Sequence, residues 1–261
     1  MKIPRALTIP VLLVQAWRRK TLVEDIVDEM PPRLGAFADR FRPELREFFG
    51  GPLNAQPARQ ALVAALIEGV PFRQVVETGT FRGSSTAFIA QRFAGPVTTV
   101  EVVPRFHHYA RWRLRDVPNV TAVLGDSVEV LRWLARERPE GPVFAYLDAH
   151  WEEHLPLREE VEQIILGWRD WVAVLDDFQV PDDPGYGYDR YDRGQELTLR
   201  YLRAWEWPGV VGFWPATPSA EEGGSRKGCL VLASASMAPA LRAIPLLREA
   251  ATLRPPEAQA G

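Results

Sequence analysis

Five short apolar runs recur along the middle of the chain, at Gln74–Glu77, Val97–Glu101, Val120–Leu124, Val143–Asp148 and Trp171–Asp176, each separated from the next by enough residues for one helix. Runs this rich in β-branched and aromatic residues suit strands buried on both faces. Strands that alternate with helices lie parallel, because each crossover returns the chain to the same edge of the sheet. The intervening segments begin at Ser84, Pro104, Asp126 and Pro156, residue types favoured at the cap or first turn of a helix. Upstream, Ala58, Ala61, Leu62, Ala65 and Leu66 carry the i, i+3, i+4 spacing of a buried helical stripe, with Pro57 at its start and Gly69 as its stop. Downstream, a loop rich in Gly, Asp and Tyr (181–193) leads to a helix ending near Trp205. Val210–Trp214 and Cys229–Ala233 then read as a hairpin at the sheet's edge. The expected fold is α/β: a Rossmann-like, doubly wound, seven-stranded, mainly parallel sheet with a C-terminal antiparallel hairpin strand, preceded by an N-terminal helical segment. Expected boundaries are a helical extension over 1–53, the sheet domain over 54–236, and a C-terminal helix with a disordered tail over 237–261.

With 46% hydrophobic and 25% charged residues in 261, the chain has the make-up of a globular protein. Thirty-one basic against 34 acidic residues leave a formal charge of −3 with no basic block, which argues against nucleic acid as the partner. Cys229 is the single cysteine, so no internal disulfide or cysteine-based zinc cluster can form, and a cytoplasmic location is expected. The N-terminal apolar stretch, Ala6 to Trp17, is interrupted by Thr8, Pro10 and Gln15 and falls short of the roughly 20 residues that a membrane span needs. It reads instead as a packed amphipathic helix or a cover on another subunit, which makes the N-terminal helices the expected route to a homo-oligomer.

The chemistry-bearing residues cluster at the C-terminal ends of the strands: Glu77, Glu101, Asp126, Asp148 and the pair Asp176–Asp177. Ligands of open α/β sheets bind at that edge, where the strand order reverses. The first turn, Glu77-Thr-Gly79-Thr-Phe-Arg-Gly83-Ser-Ser-Thr, passes through two glycines into a helix start, whose free amides favour a carboxylate or phosphate. Glu101, 18 residues beyond Gly83, stands where an acid accepts both hydroxyls of a ribose, so a nucleoside-containing cofactor is implied. The spacing is Gly-x-x-x-Gly, not the Gly-x-Gly-x-x-Gly of dinucleotide sites, which favours a smaller carboxylate-bearing ligand. An NAD(P)-dependent oxidoreductase shares the strand-turn-helix and the ribose acid, and stands as the alternative.

These features together resemble the class I S-adenosylmethionine-dependent methyltransferases over roughly 54–233. Glu77-x-Gly79-x-x-x-Gly83 resembles their first motif, Glu101 their ribose acid, and Gly125–Asp126 the motif beside the adenine. Tyr146-Leu-Asp148-Ala-His150 followed by Val174-Leu-Asp176-Asp177-Phe178 is similar to the metal-dependent O-methyltransferases of the catechol and macrocin/mycinamicin types. That resemblance implies a magnesium ion on Asp148, Asp176 and Asp177, and a small-molecule acceptor such as a sugar, phenol or natural product. Two departures stand out: the catechol type has Asp-Asn at the fifth strand, and its lysine base has no counterpart in residues 146–150. His150 is the substitute for that base, with Asp148 beside it at the reacting centre. Asn54 and Gln56, just before the first helix of the domain, are placed to reach the cofactor's methionine end.

Other readings are open in the sequence. His150-Trp-Glu-Glu153-His154 matches the His-x-x-Glu-His pattern of a class of zinc hydrolases, although Pro156 starts the helix too late to put both imidazoles on one helical face. A cofactor-binding protein without catalysis has no reason to keep a like-charge cluster in one crevice. Residues 181–191, too long and aromatic for a plain connector, read as a substrate lid or a subunit contact. Three carboxylates in one crevice repel one another unless a cation compensates, and no Lys or Arg lies within three residues of them in sequence. Alternation along an extended strand also sends Asp176 and Asp177 to opposite faces, so both serve one site only if the chain turns there.

Overall fold

The computed structural model describes residues 24, 26–42, 44–45, 50–137, 140–150, 155–191 and 194–255. In chain order they form α1 (Pro32–Asp39), a short helical turn (Pro52–Ala55), α2 (Pro57–Gly69), β1 (Gln74–Thr78), α3 (Ser84–Ala90), β2 (Val97–Glu101), α4 (Pro104–Arg113), β3 (Val120–Leu124), α5 (Ser127–Arg136), β4 (Val143–Leu147), α6 (Leu157–Gly167) and β5 (Trp171–Leu175). A small ribbon, β6 (Arg190–Tyr191) and β7 (Gln195–Glu196), is followed by α7 (Leu199–Leu202), β8 (Val210–Pro215), β9 (Leu230–Ser234), α8 (Ala238–Arg242) and β10 (Leu247–Glu249). The Ala6–Trp17 stretch, His154 and residues 256–261 lie outside the described residues.

The main sheet has the order β3-β2-β1-β4-β5-β9-β8-β10. The first five strands pair in parallel. β9 runs antiparallel to both of its neighbours, and β10 runs antiparallel to β8. The order reverses between β1 and β4, and that switch point places the ends of these two strands side by side, with Asp148 N donating to Thr78 O at 3.1 Å. Two expectations need correction. There are eight strands rather than seven, because Leu247-Arg-Glu249 extends β8 by three residues that carry no alternating pattern. The segment after Ala235 thus includes a strand of the sheet as well as the expected helix. The hairpin is not at the edge either: β9 inserts against β5, where Leu230, Val231, Leu232 and Ala233 are buried on both faces, and β8 lies outside it.

Alternation along the strands feeds two apolar layers. Phe144 and Tyr146 of β4 pack in one core with Leu62, Val63 and Leu66 of α2 and Ile89 of α3. Val143, Ala145 and Leu147 face the other core, with Leu131 of α5 and Leu157, Val161 and Ile164 of α6. Each such fully buried Leu, Val or Phe contributes about 1.5–3 kcal/mol. The cap signals act locally as expected: the Asp126 carboxylate accepts from Glu129 N at 3.0 Å, and Pro104 opens α4. At the N-terminus, α1 is pinned to α4 by Arg105, whose guanidinium donates to both carboxylate oxygens of Asp39 at 2.7 and 2.8 Å. Among the described residues no helix is long and apolar enough to cross a membrane.

The glycine turn is required by the fold itself. Gly79 has φ +79°, and a Cβ there would overlap the backbone carbonyl of Asp148; Gly83 has φ +75° at the cap of α3, with an added Cβ 3.1 Å from Leu114. Gly79→Ala is therefore expected to lower stability by about 2 kcal/mol or more, read as a fall in the urea midpoint. A midpoint within error of wild type would show that this backbone contact is not made.

Candidate active site

Three strand ends and their turns meet at one crevice. Glu101 closes β2 with its carboxylate buried, one oxygen accepting from Phe81 N at 2.6 Å and the other from Val103 N at 2.8 Å. Burial raises its pKa, and these amides oppose the rise. Gly125 N donates to Glu101 O at 3.0 Å, which brings the start of the Gly125–Asp126 turn beside the same residue. Glu77 points inward, taking the hydroxyls of Thr86 and Thr99 (2.6 Å for the latter), and burial pushes its pKa up to about 7. These bonds tie β1, β2 and α3 together. α3 has no side-chain cap and no acid in its first turn.

Gln56 does not extend toward this half of the crevice. Its amide donates to Lys227 O at 2.9 Å and accepts from Lys227 N at 2.9 Å and Ser225 Oγ at 2.6 Å, so it straps the 225–227 loop onto the start of α2. Asn54 reaches Asp177 at 3.5 Å.

The expected three-acid magnesium site is not formed by the residues present. The compensating cation is Arg59, from α2: its guanidinium forms an ion pair with Asp176 in the interior, and the Tyr146 hydroxyl donates to the other oxygen of the same carboxylate. Asp176 is thereby occupied. The chain does turn at Asp177 (φ +50°), and its carboxylate stays near Asp148 but lies beside Asn54 and Asp189 rather than on Asp176. Among the described residues no group of three His, Cys, Asp or Glu side chains is arranged to hold a metal. Asp148, Asp176 and Asp177 thus share an edge of the sheet without sharing a ligand position.

His150 is where the acids converge instead. Its ring is buried, Nδ1 lies 2.6 Å from the Tyr191 hydroxyl, and Nε2 lies 3.4 Å from Asp148 Oδ1. Burial pushes its pKa down to about 4, so the imidazole is neutral at neutral pH. Asp148 and Asp177 move the opposite way: burial first, then their neighbouring carboxylates, raise Asp148 well above the usual range and Asp177 to about 6. Asp189 accepts from the Tyr191 hydroxyl at 3.0 Å and pairs with the Lys227 ammonium. Lys227 carried no motif signal; Asp189 and Tyr191 both fell in the aromatic loop read as a lid or subunit contact. That loop is fastened down in the structure: Tyr186 is buried with its hydroxyl on Thr217 O at 2.9 Å, and Asp189 N bonds Asp177 O at 2.9 Å. A separate cavity of about 670 Å³, lined in part by Arg132, Gln163, Arg169 and Asp170, opens at the opposite edge where β4 and β5 begin, and brings none of these groups together.

Beneath the crevice, Glu160 of α6 is fully buried against the Thr78 and Ser127 hydroxyls, and burial pushes its pKa up to about 7. A carboxyl raised in the folded state favours folding while it is protonated, and that contribution is lost as pH rises from about 4.5 to about 7. Glu160→Gln is therefore expected to gain stability over wild type between pH 5 and pH 8 in urea titrations, and a constant difference would refute the assignment. Arg59→Ala, which strands the Asp176 carboxylate, is expected to cost about 3–5 kcal/mol at pH 7.5. A loss under 1 kcal/mol would show that the pair is not buried as described.

No protein-family model matches the chain, and no curated protein matches it in sequence. Solved structures do resemble it. A Klebsiella pneumoniae protein identified as a candidate O-methyltransferase superposes with a TM-score of 0.50 at 16% identity, over 82% of this chain and 94% of that one. The O-methyltransferase TomG from Streptomyces achromogenes, of tomaymycin synthesis, in complex with S-adenosylmethionine, gives a TM-score of 0.49 at 19% identity over 67% and 78% of the two chains. An O-methyltransferase from Bacillus cereus in complex with S-adenosylhomocysteine gives 0.49 at 18% identity over 68% and 80%. At these identities the likeness bears on architecture alone: the chain shares the mainly parallel α/β fold of the Klebsiella pneumoniae protein, in agreement with the strand order derived above.

Proposed function

We propose that this protein is an S-adenosylmethionine-dependent O-methyltransferase acting on a hydroxyl of a small molecule, with His150 accepting the hydroxyl proton. The observation that carries the reading is the juxtaposition at the sheet's switch point. Gly79 is packed on the Asp148 backbone, which leads within two residues to a neutral, buried imidazole, while Glu101 and Gly125 border the same turn. A donor site and a base are thus two turns of one edge.

The donor set fits the cofactor. The Glu101 oxygens take the amides of Phe81 and Val103, and a carboxylate's remaining lone pairs suit the two hydroxyls of a ribose. The uncapped first turn of α3, entered through Gly79 and Gly83, offers amides to a carboxylate. Glu77 holds that turn in place from behind, and Asp126 positions the adjacent loop by capping α5. S-adenosylmethionine, when bound, supplies an activated methyl group on a sulfonium. What the chain adds is position and proton transfer: His150 takes the proton, and Asp148 beside Nε2 orients the hydroxyl. The magnesium implied by the sequence resemblance has no such fit, because Arg59 and Tyr146 take up Asp176, so no step is assigned to a metal. Balanced charge supports a small acceptor over nucleic acid, and the exposed Leu34, Phe37 and Phe41 of α1 and the turn after it support self-association through the N-terminal region. A single buried thiol, Cys229, suits the cytoplasm.

Calorimetric titration with S-adenosylmethionine and with NAD tests the reading. Binding of the former alone is expected, weakened roughly ten- to hundredfold by Glu101→Ala through loss of charge-assisted hydrogen bonds of about 1.5–3 kcal/mol. Preferential binding of NAD would replace the methyltransferase with the oxidoreductase. A panel of hydroxyl compounds with labelled donor, run with and without excess chelator, then identifies the acceptor class.

A further inference from the structure

The Tyr191 hydroxyl lies between two groups, His150 Nδ1 at 2.6 Å and Asp189 Oδ2 at 3.0 Å. A phenol has one proton to give. Asp189 carries the Lys227 ammonium on its other oxygen, so its carboxylate is ionised and can only accept. The phenol proton therefore goes to Asp189, with the His150 carbonyl a more distant acceptor at 3.5 Å. The phenol oxygen is left to accept, and the only proton available to it in that direction is one on Nδ1. A neutral imidazole bears one N–H, so Nε2 carries the lone pair.

The surroundings of Nε2 agree with this. It is buried and has no hydrogen-bond partner among the described residues; its neighbour, Asp148 Oδ1, stands at 3.4 Å. An N–H at that position would make no hydrogen bond among the described residues, whereas a lone pair needs none and is free to take a proton. We infer that Tyr191 and Asp189 are positioning residues that hold His150 as its Nδ1–H tautomer and leave Nε2 as the proton acceptor, with Lys227 paired to the other oxygen of Asp189. The use of that lone pair rests on the methyltransferase reading; the tautomer does not.

The test is the side-chain spectrum of protein labelled with ¹⁵N-histidine at pH 7.5, without donor or acceptor. The four histidines are separated by assigning as His150 the signal lost in His150→Gln. Wild type is expected to show a protonated Nδ1 and a bare Nε2. Tyr191→Phe, which removes the acceptor 2.6 Å from Nδ1 and leaves Asp189 Oδ2 at 3.8 Å, beyond hydrogen-bond reach, is expected to move both nitrogens toward the averaged values of exchanging tautomers. Should that variant not fold, Asp189→Asn takes its place: with Lys227 on the amide oxygen, the amide N–H₂ faces Tyr191, the phenol proton turns to Nδ1, and the signal shifts toward the Nε2–H form. An Nε2–H tautomer in wild type, or a His150 signal unmoved by the folded variant, would overturn the assignment. Failure to bind S-adenosylmethionine would overturn the proposed function and leave this measurement unaffected.

Discussion

The buried pair between Arg59 and Asp176 is the contact on which the arrangement of the site depends. It joins the first turn of α2 to the end of β5, and the same guanidinium reaches Lys227 O at 2.9 Å, which locks the 225–228 loop to both. Glu222 completes the joint by accepting from the amides of Ala58 and Arg59 at 3.0 and 3.1 Å, a carboxylate on a helix N-terminus. Such a pair adds little net stability, because two charges have lost their water. Its effect is geometric: with Asp176 turned inward to Arg59 and Tyr146, only Asp148 and Asp177 are left to face the crevice, together with Asp189 from the ribbon.

The joint also holds a strained segment. Leu53, Asn54 and Ala55 all adopt left-handed backbone angles, with φ of 53°, 56° and 55°, a conformation that costs L-residues roughly 1–2 kcal/mol each. Compensation comes from every side: Leu53 N donates to Ser85 Oγ at 3.0 Å, Gln60 Nε2 to Pro52 O at 2.9 Å, and Ser225 N to Asn54 O at 3.1 Å. Gly224, at φ +59°, leaves no room for a side chain against the Asn54 and Ala55 carbonyls. The turn thereby links Ser85 in the first turn of α3 with Asp177 at the end of β5. Strain kept under this much restraint is a mark of sites whose geometry is fixed before a ligand arrives.

The parts legible in the sequence were those that obey local rules. Strand cores, helix starts and the acid series at one edge follow from periodicity, capping and the crossover rule, and Asp126 does what a residue before a helix ordinarily does. Arg59 could not be read in this way. It lies 117 residues from Asp176, on a helix whose apolar stripe says nothing about its polar side, and only the packing of α2 over the sheet brings the two together. The same holds for the pairing of Lys227 with Asp189, 38 residues apart: the 181–191 loop stands out in the sequence as a lid, but nothing in it points to Lys227. β10 was illegible for a different reason: three residues pairing with an edge strand need no pattern of their own.

The charge states at the crevice constrain how a hydroxyl can be activated. A histidine pushed down to about 4 is always ready to accept a proton at neutral pH, but it is a weak base. Full proton transfer from a phenol of pKa about 10 to such a base is uphill by about 8 kcal/mol, and a sugar hydroxyl is worse still. A free alkoxide waiting for a methyl group is therefore excluded as a populated state. On the proposed function, the proton would leave as the new bond to oxygen forms, and Asp189, acting through Tyr191, would stabilise the positive charge that grows on the imidazole. Pre-organisation then matters more than basicity. The fastened 186–191 segment, the strained 53–55 turn and the inward-turned Asp176 all supply it by fixing the distances among the chain's own groups, which on the proposed function would spare them reorganisation during the transfer.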